Sequence, residues 1–466
     1  MFPIDHAEIT ARVIASVRAT YAGRPWLVAT DIVQSAVHTA TRLQANGASS
    51  VFAIGASRGT GDVDEGVDHA CLEVRADGMM QSIRAGESAL AALPAQVQAR
   101  VDAWDPTREA RVVRTLFASG DPVAGRRAWG GRRPEWLALE DKTVIDAVWD
   151  ACGVPRQPAE VVTASEDALL QAHHKLDQGH GTVWAADNRE GWHGGATGTR
   201  WVRTPAEARE VATWMAAHAW KVRVMPFVEG VPCSIHGIVF PDHVVALRPC
   251  EMVVFRNPAT GRFKYGQAAT FWDPPAEDRA QMREMVRKTG AHLRETVGYR
   301  GTFTIDGVMG AGGFMPTELN PRFGAAIGVL ARSLPELELY LLHLAIVEGV
   351  ALDFTAQELE SVLLHAADTH RHGSSMQVLD RRIDDSKKAC FDYSAAGWTP
   401  SSDPDSAHAI AHLGPSPAGG FLRITIDSSQ VPVGTFLAPR LTELFQLLDA
   451  RWRLGIGQLE AAVPCR

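Results

Sequence analysis

The stretch that decides the fold lies at residues 298–324 and reads GYRGTFTIDGVMGAGGFMPTELNPRFG. Apolar and polar residues alternate on both sides of a glycine-rich segment, which is the pattern of two β-strands joined by a turn. Side chains two positions apart on a strand share a face, so Glu318 and Asn320 point the same way. Asp306, on the preceding strand, can meet them across the turn. The stretch therefore predicts a hairpin with oxygen-bearing side chains on one face.

Two carboxylates and an amide oxygen from neighbouring strands suit a hard cation such as Mg²⁺, which keeps several waters and shares its other positions with substrate phosphates. We therefore assign Asp306, Glu318 and Asn320 as metal ligands. Pro321 ends the second strand because proline cannot donate to the ladder. Arg322 then places a fixed charge beside the carboxylates. The alternative interpretation is a hairpin whose polar residues simply face water.

The composition of the 466-residue chain, with 46% hydrophobic and 21% charged residues, is that of a globular protein with two or three domains. A formal charge of −8 without any basic block argues against a nucleic-acid partner. Charged residues interrupt the apolar runs before the roughly 18 residues that a membrane span needs. The N-terminal residues lack the basic and apolar regions of a secretory signal, and the six cysteines are scattered. We therefore expect a cytoplasmic protein with reduced thiols and no membrane partner.

The N-terminal part of the chain has a β-α-β pattern. Apolar strands at 25–30 and 50–55 flank a helical pattern at 34–44, which predicts a parallel sheet. A glycine-rich loop at 55–61 follows the second strand, and such loops can present amides to a phosphate. Because its spacing is not G-x-G-x-x-G, a dinucleotide site and a plain surface turn both remain open. Glycine, arginine and proline at 118–134 predict a linker to the next unit.

Three segments in the middle of the chain carry further signals. Asp141 and Lys142 precede an amphipathic helix that ends in a Gly-Val-Pro stop signal. Residues 191–200 (GWHGGATGTR) form a loop whose glycines let backbone N–H groups close over phosphates without Cβ collisions. Residues 222–239 read as strand, Glu-Gly turn and strand. The alternatives are a solvated lysine at a helix start, a mobile polar loop and ordinary strand core.

These segments, in this order and followed by Asp–x11–Glu–x–Asn-Pro-Arg, resemble an ATP-grasp domain. The resemblance implies an α/β and α+β fold, with a β-α-β pre-ATP-grasp domain over residues 1–130 and an ATP-grasp domain over 135–352. Residues 353–466 would be a C-terminal α+β extension that covers the substrate, as in peptide ligases of peptide-antibiotic biosynthesis. Within that extension, glycine, proline and serine predict a loop over 394–420.

The resemblance also implies roles for particular residues, with ATP and Mg²⁺ as cofactors. The implied sets are Lys142 for the nucleotide phosphates; Gly194 and Gly195 in a lid over them; Met225, Phe227 and Val228 for adenine; Glu229 for the ribose; Arg256 and Lys264 facing the γ-phosphate and the acyl substrate; and Arg322 for a tetrahedral oxyanion.

The sequence departs from the family at one position of the phosphate clamp. The strand before the glycine loop usually carries a lysine for the α- and β-phosphates, and this strand has Ala185 and Ala186 instead. The two candidates to replace it are Lys175, which lies before the strand, and Arg200, which lies beyond the loop.

The activity that follows by resemblance is an ATP-dependent ligase that activates a carboxylate as an acyl phosphate and joins it to an amine, for example of an amino acid or small peptide. Its partners would be small molecules, and a homodimer is compatible with this function. One alternative is an ATP-grasp fold that binds ATP without turnover, which the missing strand lysine favours. The other is a dinucleotide-dependent oxidoreductase built on the first β-α-β unit.

Overall fold

The computed structural model describes residues 5–60, 63–76, 78–114, 120–191, 194–379 and 381–465. Its N-terminal unit is a five-stranded, all-parallel sheet in the order β3-β2-β1-β4-β5, which confirms the parallel arrangement expected from the β-α-β pattern. The strands are β1 (Pro25–Ile32), β2 (Ser50–Ser57), β3 (Asp68–Cys71), β4 (Arg111–Arg114) and β5 (Ala128–Trp129); the helices are α1 (His6–Tyr21), α2 (Val33–Ala45), α3 (Met79–Ala91) and α4 (Ala95–Trp104).

The glycines of the 55–61 loop have a packing role where the structure describes them. A Cβ on Gly55 would lie 2.3 Å from the backbone nitrogen of Val33, at the start of α2. Gly59 has a φ of +78°, and a Cβ there would lie 2.2 Å from Gln34 Oε1. Close approach to α2 therefore accounts for these two glycines, and residues 61 and 62 lie outside the described residues.

The segment predicted as a linker at 118–134 is instead packed into the N-terminal unit, so far as residues 120–134 are described. The Arg126 side chain is fully buried and donates to Asp105 Oδ2 at 3.0 Å and to Asp102 Oδ1 at 2.5 Å. β5 extends the parallel sheet from the same segment. The prediction was wrong because Arg126 is buried in ion pairs, which composition alone does not reveal.

The middle unit contains two antiparallel sheets that face each other. The smaller has the order β6-β9-β7-β8, and the larger runs β13-β12-β10-β14-β15, with β11 and β21 paired to it. The smaller sheet and its helices comprise β6 (Glu160–Thr163), β7 (Thr182–Ala186), β8 (Thr199–Val202), β9 (Lys221–Pro226), α7 (Glu166–Leu176) and α8 (Pro205–His218). The larger comprises β10 (Val231–Val239), β11 (Val244–Ala246), β12 (Cys250–Asn257), β13 (Arg262–Ala269), β14 (Gly301–Gly310), β15 (Gly313–Asn320) and α9 (Ala276–Val297).

Short helices lead into and out of these sheets. Before them lie α5 (Pro134–Leu137), a 3-10 turn (Ala138–Glu140) and α6 (Ile145–Cys152); after them lie α10 (Ala325–Ala331), a 3-10 turn (Pro335–Leu337) and α11 (Leu339–Glu348). α11 packs in one apolar cluster with α1 and with the first C-terminal helix. The Tyr21 hydroxyl donates to the backbone oxygen of Leu341 at 2.7 Å. The N-terminal unit is thus packed directly behind the strands of the larger sheet.

The C-terminal unit is a third, antiparallel sheet in the order β16-β20-β19-β17-β18. Its elements are α12 (Ala356–Thr369), β16 (Ser374–Leu379), β17 (Lys387–Ser394), β18 (Gly397–Ser401), β19 (Ala409–Ser416), β20 (Gly419–Ile426), a 3-10 turn (Ser428–Gln430), α13 (Ala438–Trp452) and β21 (Glu460–Ala461). The prediction of a loop over 394–420 is therefore wrong, because β18 and β19 lie within this range. Pro400 is tolerated in β18 since this is an edge strand, where a missing N–H breaks no ladder.

A buried carboxylate holds α13 against the middle unit. Glu251 of β12 is fully buried, and its two oxygens accept from the backbone nitrogens of Leu437 and Ala438 at 2.8 and 2.7 Å. These N–H groups belong to the first turn of α13, where helix donors lack intrahelical partners. Within the described part of the chain, none of the helices combines the length and hydrophobicity needed to cross a membrane.

Candidate functional site

One cavity of about 940 Å³ lies between the two sheets of the middle unit. Every residue given a role in the sequence analysis lines it, although these residues come from segments far apart in the chain. They are Lys142, Gly194, Gly195, Met225, Phe227, Val228, Glu229, Arg256, Lys264, Asp306, Glu318, Asn320 and Arg322. Their assigned roles remain predictions.

The β14–β15 hairpin at one end of the cavity has the register expected from the sequence. Asp306 lies opposite Glu318, and Thr304 lies opposite Asn320. A bulge follows Asp306, and a Cβ on the next residue, Gly307, would lie only 2.3 Å from the backbone oxygen of Met315. Glycine at this position therefore lets the two strands approach closely enough to oppose the two carboxylates.

Two cationic side chains contact this polar face. Lys142 Nζ lies 2.9 Å from Glu318 Oε1, and an Arg322 nitrogen donates to Asn320 Oδ1 at 2.7 Å. Burial, together with the charge of Glu318, raises the pKa of Asp306 above its usual range. Two carboxylates that lose water beside each other favour a cation between them.

The donor set fits a divalent ion in part. Among the described residues there is no cluster of three or more His, Cys, Asp and Glu side chains that could hold a metal. Asp306 and Glu318 would thus leave positions for water and phosphate oxygens, as Mg²⁺ prefers. The third predicted ligand, Asn320, directs its amide nitrogen to Asp306 Oδ2 at 2.8 Å. Its oxygen would reach an ion beside Asp306 only after the amide turns over.

A buried ion-pair network, which the sequence did not reveal, holds Arg322 in place. Arg322 Nε donates to Glu140 Oε1 at 2.9 Å, and Arg132 donates to the same oxygen. The Glu140 and Arg132 side chains are only 5% and 6% exposed. Burial by itself would raise the pKa of Glu140, but the charges and hydrogen bonds of Arg322 and Arg132 have the larger combined effect. The pKa of this carboxyl is therefore lowered. The only feature of the sequence that could have indicated a role for Glu140 is its position two residues before Lys142.

The apolar end of the cavity contains the residues predicted for a purine. The Phe227 ring stacks on Trp201 with centroids 4.2 Å apart and planes at 19°. The Arg256 guanidinium lies 5.6 Å from both ring centroids and donates to Glu229 Oε2 at 2.7 Å. Arg256, predicted to face the γ-phosphate, therefore lies at the same end as Phe227. Glu229 Oε1 also accepts from the backbone nitrogen of Val463 at 2.9 Å.

The glycine loop borders the cavity at residues 194–200, whereas Trp192 and His193 lie outside the described residues. A Cβ on Gly195 would lie 3.0 Å from Met79 Cε, so α3 of the N-terminal unit contacts the loop.

Of the two substitutes considered for the strand lysine, Arg200 lines the cavity and Lys175 does not. Ala185 lines the cavity without a charge. Lys175 is 67% exposed and pairs with Glu160. Arg200 lies 4.1 Å from the Trp214 ring centroid and donates to the backbone oxygens of Thr197 and Thr199.

Comparisons with solved structures show the same architecture at low sequence identity. Biotin carboxylase from Campylobacter jejuni, solved as a β,γ-ATP complex, aligns at a TM-score of 0.54 and 13% identity over 88% of this chain and 89% of that one. The biotin carboxylase domain of 2-oxoglutarate carboxylase from Hydrogenobacter thermophilus, solved with MgADP, ADP and bicarbonate, aligns at 0.50 and 14% over 87% and 86%. No family model and no curated protein matches the sequence. At such identities the likeness shows the fold alone, and it confirms the ATP-grasp fold expected from the motifs.

Proposed function

We propose that this chain, with its ATP-grasp fold, is an ATP-dependent ligase that joins a carboxylate to an amine. The observation that carries the proposal is the convergence of a carboxylate pair, two cations and an apolar slot in one cavity. The two solved neighbours support it, because one is a complex with β,γ-ATP and the other with MgADP and bicarbonate. An amino acid or small peptide as substrate, and the peptide-ligase subtype, are finer parts of the same proposal.

In the proposed complex the nucleotide spans the cavity. Met225, Phe227 and Val228 hold the base, since an apolar slot with backbone polar groups suits a purine. Glu229, fixed by Arg256, lies beside the ribose. The phosphates then extend toward Lys142 and Lys264, beneath the backbone of the glycine loop.

Asp306 and Glu318 hold Mg²⁺ in this proposal, with Asn320 joining them if its amide turns. When bound, the ion supplies positive charge to the phosphate oxygens. Lys142 neutralises further phosphate charge, and its 14% exposed side chain contacts Glu318. Phosphoryl transfer needs positioning and charge neutralisation more than covalent chemistry.

The reaction proceeds by two displacements. A carboxylate oxygen of the acyl substrate attacks the γ-phosphorus, and ADP leaves. The amine then attacks the carbonyl carbon of the acyl phosphate, and inorganic phosphate leaves with the proton that the amine nitrogen loses as the amide forms. Arg322, held by Glu140, stabilises the tetrahedral oxyanion of the second step. Closure of the 191–200 loop keeps out the water that would hydrolyse the acyl phosphate.

The test is release of ADP by the purified protein with ATP, Mg²⁺ and pools of amino acids. Replacing Asp306 and Glu318 together by alanine should abolish release, since both carboxylates of the proposed metal site are lost. ADP release that persists in this double variant, or its absence from the wild type with every pool, would count against the ligase proposal.

One observation favours a second candidate function, an ATP-grasp protein that binds ATP without turnover. Ala185 lines the cavity where the family usually has the strand lysine. Lys175 pairs with Glu160 outside the cavity, and Arg200, although it lines the cavity, directs its guanidinium over the Trp214 ring. Calorimetric binding of MgATP without ADP release across broad substrate pools would support this candidate.

A further inference from the structure

Basic side chains form a row across one face of the C-terminal sheet. Arg423 of β20 is exposed, and its two neighbours along the strand are fully buried against α13, so Arg423 faces away from that helix. It lies opposite Met376 of β16 and opposite His412 of β19, and His412 lies opposite Lys388 of β17. Directly opposed residues share a face, with Cβ atoms about 5 Å apart. The row therefore begins beside Met376 and crosses three strands.

This face of the sheet continues the wall of the cavity. Met376 and Val378 line the cavity, and they lie on the same face as Arg423. Ser374, also on this face, donates to Gln267 Oε1 at 2.8 Å, and Gln267 lines the cavity from β13. A molecule bound in the cavity can thus extend along β16 and reach Arg423.

A further basic side chain comes from the middle unit. Ala325 and Ala326, the first residues of α10, line the cavity, and Arg332 directly follows the last residue of this helix. Partial burial and the charge of Arg423 lower the pKa of Arg332. Because charges influence each other strongly only at short range, the two guanidinium groups lie near each other. Two units of the protein therefore bring cations together beside the cavity.

A histidine next to Arg332 has an unused polar atom. His372 lies two positions before Ser374, and its Nε2 atom is buried without a hydrogen-bond partner among the residues that the structure describes. Burial, followed by the charges of Arg332 and His370, lowers the pKa of His372, so its ring lies close to Arg332. Buried polar groups are nearly always paired. A ligand bound at Arg332 would give this ring a partner.

The row lacks the counter-charges that pair most buried cations of this protein. Within the described ranges, Arg332, Arg423 and Lys388 take part in no ion pair. Asp392, on the same face of β17, is itself paired with His408 at 3.1 Å. Like charges side by side on a sheet are destabilising, and the chain as a whole carries a formal charge of −8. A bound anion would supply the charge that is missing here.

We propose that this cationic surface, formed by Arg332, His372, Lys388, His412 and Arg423, binds an anionic group of a substrate whose reacting end lies in the cavity. The group is a carboxylate or a phosphate, since guanidinium groups bind both in the same forked geometry. The surface lies on an open sheet face beyond the cavity wall, so the substrate is an extended molecule, such as a short acidic peptide. The inference rests on the proposed ligase function, because it names the class of substrate for that reaction.

The experiment compares short peptides that differ in a single side chain. The probes are alanine tetrapeptides with one glutamate at each position in turn, the same peptides with glutamine, and the same with phosphoserine. Binding to the full chain is measured by calorimetry with saturating MgADP, which occupies the nucleotide end. We expect at least one anionic peptide to bind about tenfold more tightly than its glutamine counterpart. The comparison of glutamate with phosphoserine shows which anion is preferred.

Arg423→Ala and Arg332→Ala should each remove most of this preference, whereas Arg423→Lys should keep part of it because the charge remains. The matched control is Arg451→Ala, since Arg451 is an exposed arginine in the last turn of α13, on the opposite side of the same sheet. This variant should keep the full preference.

Glutamine peptides that bind as tightly as the anionic ones, no binding of any peptide, or a preference unchanged in both Arg423→Ala and Arg332→Ala would each overturn the proposal. Failure of the ligase function would appear separately. In that case the calorimetric preference for anionic peptides would remain, but no peptide would stimulate ADP release with MgATP.

Discussion

At the scale of single residues, the cavity places opposite charges in contact. Lys142 contacts Glu318, and Arg322 bridges Asn320 to Glu140. These contacts hold the polar face together, and in the proposed function Lys142 would also bind the phosphates and Arg322 the oxyanion. Two predictions follow from these contacts.

Replacing Lys142 by alanine should lower the rate of ADP release about 10²-fold, because one charge that stabilises the transferring phosphate is lost. The matched control is Lys175→Ala, in which a lysine paired with Glu160 is removed from an exposed site outside the cavity. The measurement is the steady-state rate of ADP release by both variants. Equal rates for the two would show that Lys142 is only a structural partner of Glu318.

Replacing Glu140 by glutamine should cost about 3–5 kcal/mol of unfolding free energy, since it removes a buried carboxylate that pairs with both Arg132 and Arg322. The pKa of Glu140 is lowered in the folded protein from its usual 4.5. Its stabilising contribution is thus present above about pH 4.5 and is lost as the pH falls further. Urea unfolding of wild type and variant at about pH 6 and about pH 4 should show the larger difference at the higher pH. A difference independent of pH would contradict the prediction.

At the scale of elements, the hairpin of β14 and β15 decides where the carboxylates lie. Its strands oppose Asp306 and Glu318, and the bulge after Asp306 absorbs one residue of register. A shift by one position would turn Glu318 and Asn320 to the opposite face of the sheet. The precision of the site therefore depends on a backbone feature.

Gly307→Ala should destabilise the protein by about 1–3 kcal/mol, because the new Cβ collides with backbone that cannot move aside. Gly312→Ala, in the turn of the same hairpin, is the control, since its Cβ would meet only Met315 Cε at 3.7 Å. That variant should change stability by no more than about 0.5 kcal/mol. Thermal unfolding of both proteins, combined with ADP release, tests this. Similar melting temperatures for the two would show that the bulge tolerates a side chain.

At the scale of the whole molecule, all three units contribute to one site. Met79 of the N-terminal unit and Gln377 of the C-terminal unit both line the cavity, and Arg132, at the end of the segment packed into the N-terminal unit, contacts Glu140. The chain then returns to the middle unit, where β21 pairs with β12 and Ala462 borders the apolar end.

Removing residues 460–466 should weaken ATP binding about tenfold, because Glu229 and Arg256 lose backbone partners at Val463 and Ala461. Removing only 464–466 leaves both contacts and should have little effect. Calorimetric titration of MgATP into the two shortened proteins measures the difference. Tighter binding after the longer deletion would instead show that the terminal segment competes with the nucleotide for Glu229.

The sequence by itself determined the hairpin, the side chains on its polar face and the order of motifs that predicted the ATP-grasp fold. Alternation, glycine and proline act locally, so they can be read from a short stretch such as 298–324. Only the tertiary structure decided that Arg322 bonds Glu140, that Arg256 lies beside Phe227, and that the stretch predicted as a loop at 394–420 contains β18 and β19. These outcomes depend on which charged side chains become buried and on which strands pair. Both kinds of contact join residues that are distant in the chain, so a short stretch of sequence does not reveal them.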